Sequence, residues 1–340
     1  MSVASSEPWS VSLLSPPSSV VMDGEPAMGS YVGCIDTIDW RALRGPWQRS
    51  ALWTRLHHKR WQYVGVGHAH WFIGVAIVDV GWCMSSFVYV FDRRSQKVVL
   101  DWTQDGLPGW SGGITDQPVM GGAARFKGLG AALSIVTEGD VIAVRVKTRR
   151  LQLRCDLSWR QAPPFLLAVG PVDQGLVHAT QKSPGLPVVG EFELDGERHA
   201  LHGALGSLDS SNGLLARDTA WRWACAHDRR VGFNLQEGYF GNQENVLWLD
   251  GALIPLGAAK FDFDPQRPLS PWRVQTDDGL LDLHFRPEGA RQADRNLVVA
   301  ASYYIQPVGT FHGTVRARPG GAAVSVDGLL GVTEDHRSRW

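Results

Sequence analysis

From Lys59 onward the chain alternates between short apolar runs and turn signals, and a sustained 3.6-residue period is hard to find. Lys59-Arg60-Trp61-Gln62-Tyr63-Val64-Gly65-Val66 alternates and is rich in strand formers. Trp71 to Val80 is nearly continuous apolar sequence with many β-branched residues, and Phe87 to Phe91 is ended by the turn-forming Asp92-Arg93-Arg94-Ser95. Residues 97–102, 131–136, 141–146 and 151–157 extend the series, divided by Asp105-Gly106, Gly112-Gly113, Gly121-Gly122 and Glu138-Gly139-Asp140. Further strands are expected at 188–194, 198–201, 219–226, 231–236, 246–249, 272–275, 280–285 and 297–305. Asp195-Gly196, Asp250-Gly251 and Asp278-Gly279 have the chemistry of two-residue hairpin turns. Short strands at this spacing predict an all-β chain built as an antiparallel sandwich or barrel. The best helical stretch is short, within 38–56, and residues 1–30 are Ser/Pro-rich and read as an extended or partly ordered arm.

At 340 residues the chain exceeds one ordinary domain, and two domains of roughly 150 residues are expected. Pro163-Pro164 and Ser183-Pro184-Gly185-Leu186-Pro187 bracket a hinge, which divides the chain into an arm (1–30), a first barrel domain (31–175) and a second (176–340). A faint repeat supports two similar halves. Trp61-Gln62-Tyr63 leads to Val88-Tyr89-Val90-Phe91-Asp92, and Trp221-Arg222-Trp223 leads to Val246-Leu247-Trp248-Leu249-Asp250. Tyr63 to Asp92 and Trp221 to Asp250 each span 29 positions.

Composition adds 38 Gly and 15 Trp, a combination that suits β architectures with tight turns and close strand packing. The net charge of −1 leaves no electrostatic footprint for nucleic acid. The basic clusters His57-His58-Lys59-Arg60 and Lys147-Thr148-Arg149-Arg150 are short and sit near strand ends. No apolar run approaches the roughly 20 residues that span a bilayer, and no signal peptide is read at the N-terminus. Cys34, Cys83, Cys155 and Cys225 are far apart, which fits reduced thiols and a cytoplasmic location and argues against a zinc knuckle.

Several blocks carry a family resemblance. They are Lys59-Arg60-Trp61-Gln62-Tyr63, Thr180-Gln181-Lys182-Ser183-Pro184-Gly185-Leu186-Pro187, Arg217-Asp218-Thr219-Ala220-Trp221-Arg222-Trp223-Ala224, Gly232-Phe233-Asn234-Leu235, Glu244-Asn245, and Gly331-Val332-Thr333-Glu334-Asp335-His336 with terminal Trp340. Together these resemble the domain of unknown function 2804, from about residue 55 to the C-terminus. That family is distantly similar to double lipocalin-like proteins, a group that includes carotenoid 1,2-hydratases, tocopherol cyclase and some Diels–Alderases. The resemblance implies two lipocalin-like (calycin-type) antiparallel barrels arisen by internal duplication, with a cavity for an apolar ligand. It also implies chemistry on unsaturated hydrocarbons without a cofactor.

The chain has no phosphate loop, H-E-x-x-H motif or G-x-S-x-G elbow. His68-Ala69-His70 would put two imidazoles on opposite strand faces, poor geometry for one metal. No metal and no cofactor are expected. The aromatic strands say more. Lys59, Trp61 and Tyr63 share one strand face, as do Trp221, Trp223, Cys225 and His227. Such faces either form core or line a pocket that stabilises a carbocation or stacks a ring.

The candidate acids are Asp79, Asp209, Glu237 and Glu244. Asp79 interrupts the run Val75-Ala76-Ile77-Val78-Asp79-Val80, where burial would raise its pKa and suit a general acid. The other reading, a strand-end Asp bonded to backbone amides, is slightly favoured over it. Asp209, in Leu208-Asp209-Ser210-Ser211-Asn212-Gly213, reads as a further acid or as an Asx-turn. Glu237 and the pair Glu244-Asn245 precede the strand at 246–249, where Asn245 is placed to cap or bridge strands. Lys59 and Lys182 are each placed to pair with one of these acids. Glu334 and His336 close the last strand and are open to a structural or a site role. The binding set is Lys59, Trp61, Tyr63, Lys182, Trp221, Trp223, Asn245 and His336.

Three functions follow. One is an acid-catalysing hydratase, cyclase or isomerase for an apolar or terpenoid-like small molecule. The second is a non-catalytic lipid or pigment binder. The third is a carbohydrate-active enzyme with two acids facing across an open cleft. The expected partner is a small apolar molecule, with no nucleic acid and no membrane span; the oligomeric state is not legible.

Overall fold

A computed structural model of the protein describes residues 13–296 and 301–340. The first twelve residues of the expected arm, and residues 297–300 of the strand expected at 297–305, lie outside the described residues. The chain is 61% strand and 3% helix, arranged as two curled antiparallel sheets that form two lipocalin-like halves.

Both halves use one connectivity. In the first, His58–Gly67, Trp71–Asp79, Met84–Asp92 and Lys97–Gly106 form a meander. Its leading strand pairs with the last strand of the half, Leu205–Leu214. In the second, the meander is Asp218–His227, Val231–Gly238, Val246–Leu249 and Ala252–Pro255, and its leading strand pairs with the last, Val324–Arg339. The two 29-residue intervals noted in the sequence cover the same three strands of each meander.

The change of sheet falls between Leu214 and Asp218. The boundary expected at 175/176 falls instead inside the first sheet, in the turn joining Leu166–Pro171 to Val177–Lys182. That hairpin is fixed there by Val177–Lys182 pairing with Leu205–Leu214 and by Leu166–Pro171 pairing with Gly29–Val32. Of the expected hinge at 183–187, residues 183–185 form a short connection and Leu186 and Pro187 already belong to the strand Leu186–Leu194. A side-chain carbon on Gly185 would press on His227 of the second half, so the connection is also a point of close approach.

The described part of the arm is extended and docked: Val20 and Val21 are buried, and Gly29–Val32 is a strand. Within 38–56 the only regular α-helix begins at Ala51 and ends at His57, capped by the Ser50 hydroxyl, which accepts from the Trp53 N–H at 3.2 Å. Elsewhere in the expected stretch only a single 3-10 turn forms, Gly45–Trp47. Gly45 takes a left-handed φ of 55°, and Ile38, Trp40 and Leu43 are spent as a buried loop against Leu167 and Val177.

Strand pleating decides where the site lies. Val64, Val66, Ile73, Val75, Ile77, Val88 and Val90 point into the first half and fill it. Their alternates Tyr63, Phe72, Ala76, Tyr89 and Phe91 point the other way and pack on Trp223, Cys225, Val308 and Val332 of the second half. Ala224, Ala226, Phe233 and Leu235 likewise fill the second half. The barrel interiors are therefore packed core, and the aromatic faces meet between the halves. Gly74 sits opposite Tyr89, whose ring occupies the space a side chain would need. The ring lies flat there, and the Tyr89 hydroxyl donates to Gln306 Oε1 across the junction.

Candidate functional site

One register row crosses the first sheet. Phe87, Ala76, Tyr63, Asp209 and Lys182 stand directly opposite one another on five neighbouring strands. All five line a cavity of about 100 Å³ between the halves. The second sheet faces it with two rows. One is Gln236–Trp223–Glu334, the other Trp221–His336–Tyr304. Trp61 stacks parallel to Trp221 at 6.1 Å between ring centres, and Tyr63 meets Trp223 edge-on at 5.9 Å.

At the polar end, Lys182 Nζ lies 2.5 Å from Asp209 Oδ2 and 3.0 Å from Glu244 Oε2. Lys182 and Glu244 are both buried. Asp209 also accepts from Ser211 Oγ at 3.1 Å. Two carboxyls thus share one ammonium in a low-dielectric site. Burial pushes the Glu244 carboxyl up, Lys182 opposes this and Asp209 adds to it, and the net direction is upward. Burial pulls Lys182 down, but Asp209 and Glu244 outweigh it and hold the ammonium above its ordinary value. The arrangement strengthens the hold of both Lys182 and Glu244 on a proton relative to their ordinary values.

Glu244 reaches Lys182 because its loop is tied down. Asn234 Nδ2 donates to the Glu244 carbonyl at 2.9 Å, while Asn234 Oδ1 accepts from Trp223 Nε1 at 2.8 Å. Asn245 Oδ1 accepts from the Gln236 N–H at 2.7 Å, and Asn245 Nδ2 donates to the Gly257 carbonyl at 3.0 Å. Asn245 is therefore the strand-bridging residue that one sequence reading allowed, and it lies outside the cavity lining. On the far wall, Glu334 accepts from Trp221 Nε1 at 2.8 Å and from Gln306 Nε2 at 2.9 Å. Gln306 Oε1 accepts from Tyr63 Oη at 3.2 Å, and the His336 ring lies 4.1 Å from that of Trp221.

Of the candidates, Asp209, Glu244, Trp61, Tyr63, Lys182, Trp221, Trp223 and His336 converge on the cavity. Asp209 is on a central strand and pairs with Lys182, so the Asx-turn reading is set aside. Asp79 and Glu237 stay outside the lining. Asp79 bonds Arg60 at 2.7 Å and the Gly81 N–H at 2.9 Å, in keeping with its strand-end reading. Glu237 bonds Arg222 at 3.0 Å near the surface. His68 and His70 sit in the turn after Gly67 with rings 5.6 Å apart, and no group of three metal-ligating side chains forms among the described residues.

Lys59 also leaves the site. Its ammonium donates to the carbonyls of Leu56 and Val80 at 2.7 and 2.9 Å, behind Trp340. Burial pulls Lys59 down to about 8, against a smaller upward pull from Asp79. The folded chain releases this proton at lower pH than the unfolded chain. Stability should therefore gain from this group as pH rises from about 8 toward the ordinary lysine value near 10.4, by up to about 1.4 kcal/mol per unit. Denaturant unfolding of the parent and Lys59→Met at pH 8 and pH 10 isolates the gain. Buried thiols pushed up to about 12, such as Cys155, give the same opposing slope in both proteins. Equal pH slopes would mean that Lys59 keeps its charge.

Gln236, Tyr239, Tyr304 and Gln306 also line the cavity and were not singled out in the sequence. A signal for Gln236 was present: Asn234 and Gln236 are polar and share one face of an otherwise apolar strand.

Fold and cavity together define a double lipocalin-like protein whose polar groups gather between two barrels rather than inside either. The chain belongs to the DUF2804 family, a domain of unknown function, whose model matches residues 20–340. No curated protein matches the sequence. Among solved structures, a Nitrosomonas europaea protein assigned as AttH is similar at 14% identity and a TM-score of 0.55, over 88% of this chain and 98% of that one. CghA crystallised with Sch210972 is similar at 12% identity and a TM-score of 0.52, over 96% and 98%. Kievitone hydratase from Nectria haematococca gives 9% identity and a TM-score of 0.46, over 83% and 88%. At these identities the likeness establishes the fold alone.

Proposed function

We propose that the protein is a cofactor-independent enzyme that protonates an apolar or terpenoid-like small molecule, as a hydratase, cyclase or isomerase. The observation that carries this is Glu244: a buried carboxyl, its pKa raised by burial, beside a cavity walled by Trp61, Trp221 and Trp223. Glu244 gives its proton to one carbon of a double bond. Lys182 then holds the carboxylate that remains, and the indole faces stabilise the cation on the other carbon. Water attack gives an alcohol, loss of a neighbouring proton gives an isomer, and attack on the cation by a second double bond of the same molecule, followed by proton loss, gives a ring; in each case one proton returns to Glu244. Sugar hydrolysis fits less well. The Lys182 ammonium already occupies the space between the two carboxyls, where a glycosidic oxygen would have to lie.

The test is incubation of the protein with a panel of prenyl and polyene compounds in deuterated buffer, followed by mass spectrometry. Deuterium uptake or addition of water in at least one compound is expected. Unlabelled recovery of the whole panel, with one stoichiometric apolar compound released on denaturation, would make the protein a carrier instead.

A further inference from the structure

The cavity contains an amide whose hydrogen bonds go nowhere. Gln236 is 2% exposed, lines the cavity, and neither Nε2 nor Oε1 has a partner among the described residues. A buried amide left so is costly unless something in the cavity completes it. What completes it must accept from an N–H and donate to a carbonyl at adjacent atoms. Asp209, Glu244 and Glu334 line the same cavity, with Lys182 as the cation among them, so an anionic head is disfavoured there.

A second cavity, of about 190 Å³, adjoins the first, and Val78, Phe87, Tyr304, His336 and Trp340 line both. Its other walls include Val80, Trp82 and Met84, and Trp82 is 38% exposed at its edge. The second cavity, lined by Arg291, Arg339 and Asp105 as well as by these apolar residues, thus lies between Trp82 at the surface and the walls of the first.

We propose that the substrate class is an amphipathic carboxamide: an amide or lactam head paired with Gln236, and an apolar tail lying along Val78, Val80, Trp82 and Phe87. This rests on the reading of the cavity as a substrate site, and it is tested by binding, without turnover.

Decanamide, methyl decanoate and decanoate are titrated calorimetrically into the parent protein, Gln236→Leu and Gln236→Met. Decanamide should bind at least about tenfold tighter than methyl decanoate to the parent, because the ester cannot donate to Oε1. Decanoate should be weaker than the amide. Both variants should bring the amide to the level of the ester, with the ester losing less because it makes only the one bond, from Gln236 Nε2; the second variant keeps the test open if the first fails to fold. Equal binding of amide and ester by the parent, a gap that survives in a folded variant, or no binding of any probe would each overturn the proposal. A gap seen without deuterium uptake by any compound would leave the head-group assignment standing and remove the catalytic one.

Discussion

Lys182→Met is expected to lower the free energy of unfolding by about 3–5 kcal/mol, the usual cost of removing one member of a buried ion cluster. The ammonium is the cation between Asp209 and Glu244, at 2.5 and 3.0 Å, and methionine keeps the volume while removing the charge. Glu244 can take up a proton, but Asp209 is then left across the sheet from an apolar side chain at its register position. Adding Asp209→Asn to Lys182→Met should recover a good part of the loss, since it removes the charge that was stranded. Urea unfolding of the three proteins reads this directly. A loss below about 1 kcal/mol for the single variant would place the cluster in the class of solvated surface pairs.

Glu244→Gln should reduce turnover by about 100- to 10,000-fold, the range a positioned general acid contributes. The fold should persist, because the amide keeps the shape and the Lys182–Asp209 pair remains. The pH profile follows from the direction of the Glu244 shift. Its pKa is raised on folding, so the folded chain keeps this proton to higher pH than the unfolded chain. The rate should fall as pH rises through the raised value. Over the same rise from the ordinary carboxyl value, this group makes stability decline. Both dependences should disappear in Glu244→Gln. Deuterium uptake within about threefold of the parent would move the acid elsewhere.

Much of this was legible in the sequence, for a physical reason. Two-residue alternation is a direct record of which side chains share a face, and Trp61 with Tyr63 and Trp221 with Trp223 reach the cavity, while Lys59, Cys225 and His227 of the same two faces do not. Alternation does not say which face turns inward. Here the aromatic faces meet each other, and Val64 and Val66 take the barrel interior.

The strand carrying Asp209 was hidden because Leu205–Leu214 is rich in Ser, Asn and Gly and resembles a loop. It is a central strand because its polar side chains are satisfied one by one: Ser211 by Thr180 at 2.8 Å, Asn212 by Trp40 at 3.0 Å, Asp209 by Lys182. Asp79 misled in the opposite direction. Its apolar neighbours suggested a lone buried acid, while its partner, Arg60, stands in register on the next strand and cannot be found by reading along the chain. Pairing across strands is the information a single sequence withholds, and it separates the acids that reach the cavity from those that do not.

The meeting of the two halves has one further consequence. Lys182 and Asp209 belong to the first sheet, while Glu244 comes from a loop of the second. Without the first half, Glu244 has neither the Lys182 ammonium nor the Asp209 carboxyl beside it. Its altered grip on a proton begins only when burial and its neighbours arrive together. The upward direction of the Glu244 shift is thus a property of the assembled pair of halves, set by neighbours that neither sheet supplies alone.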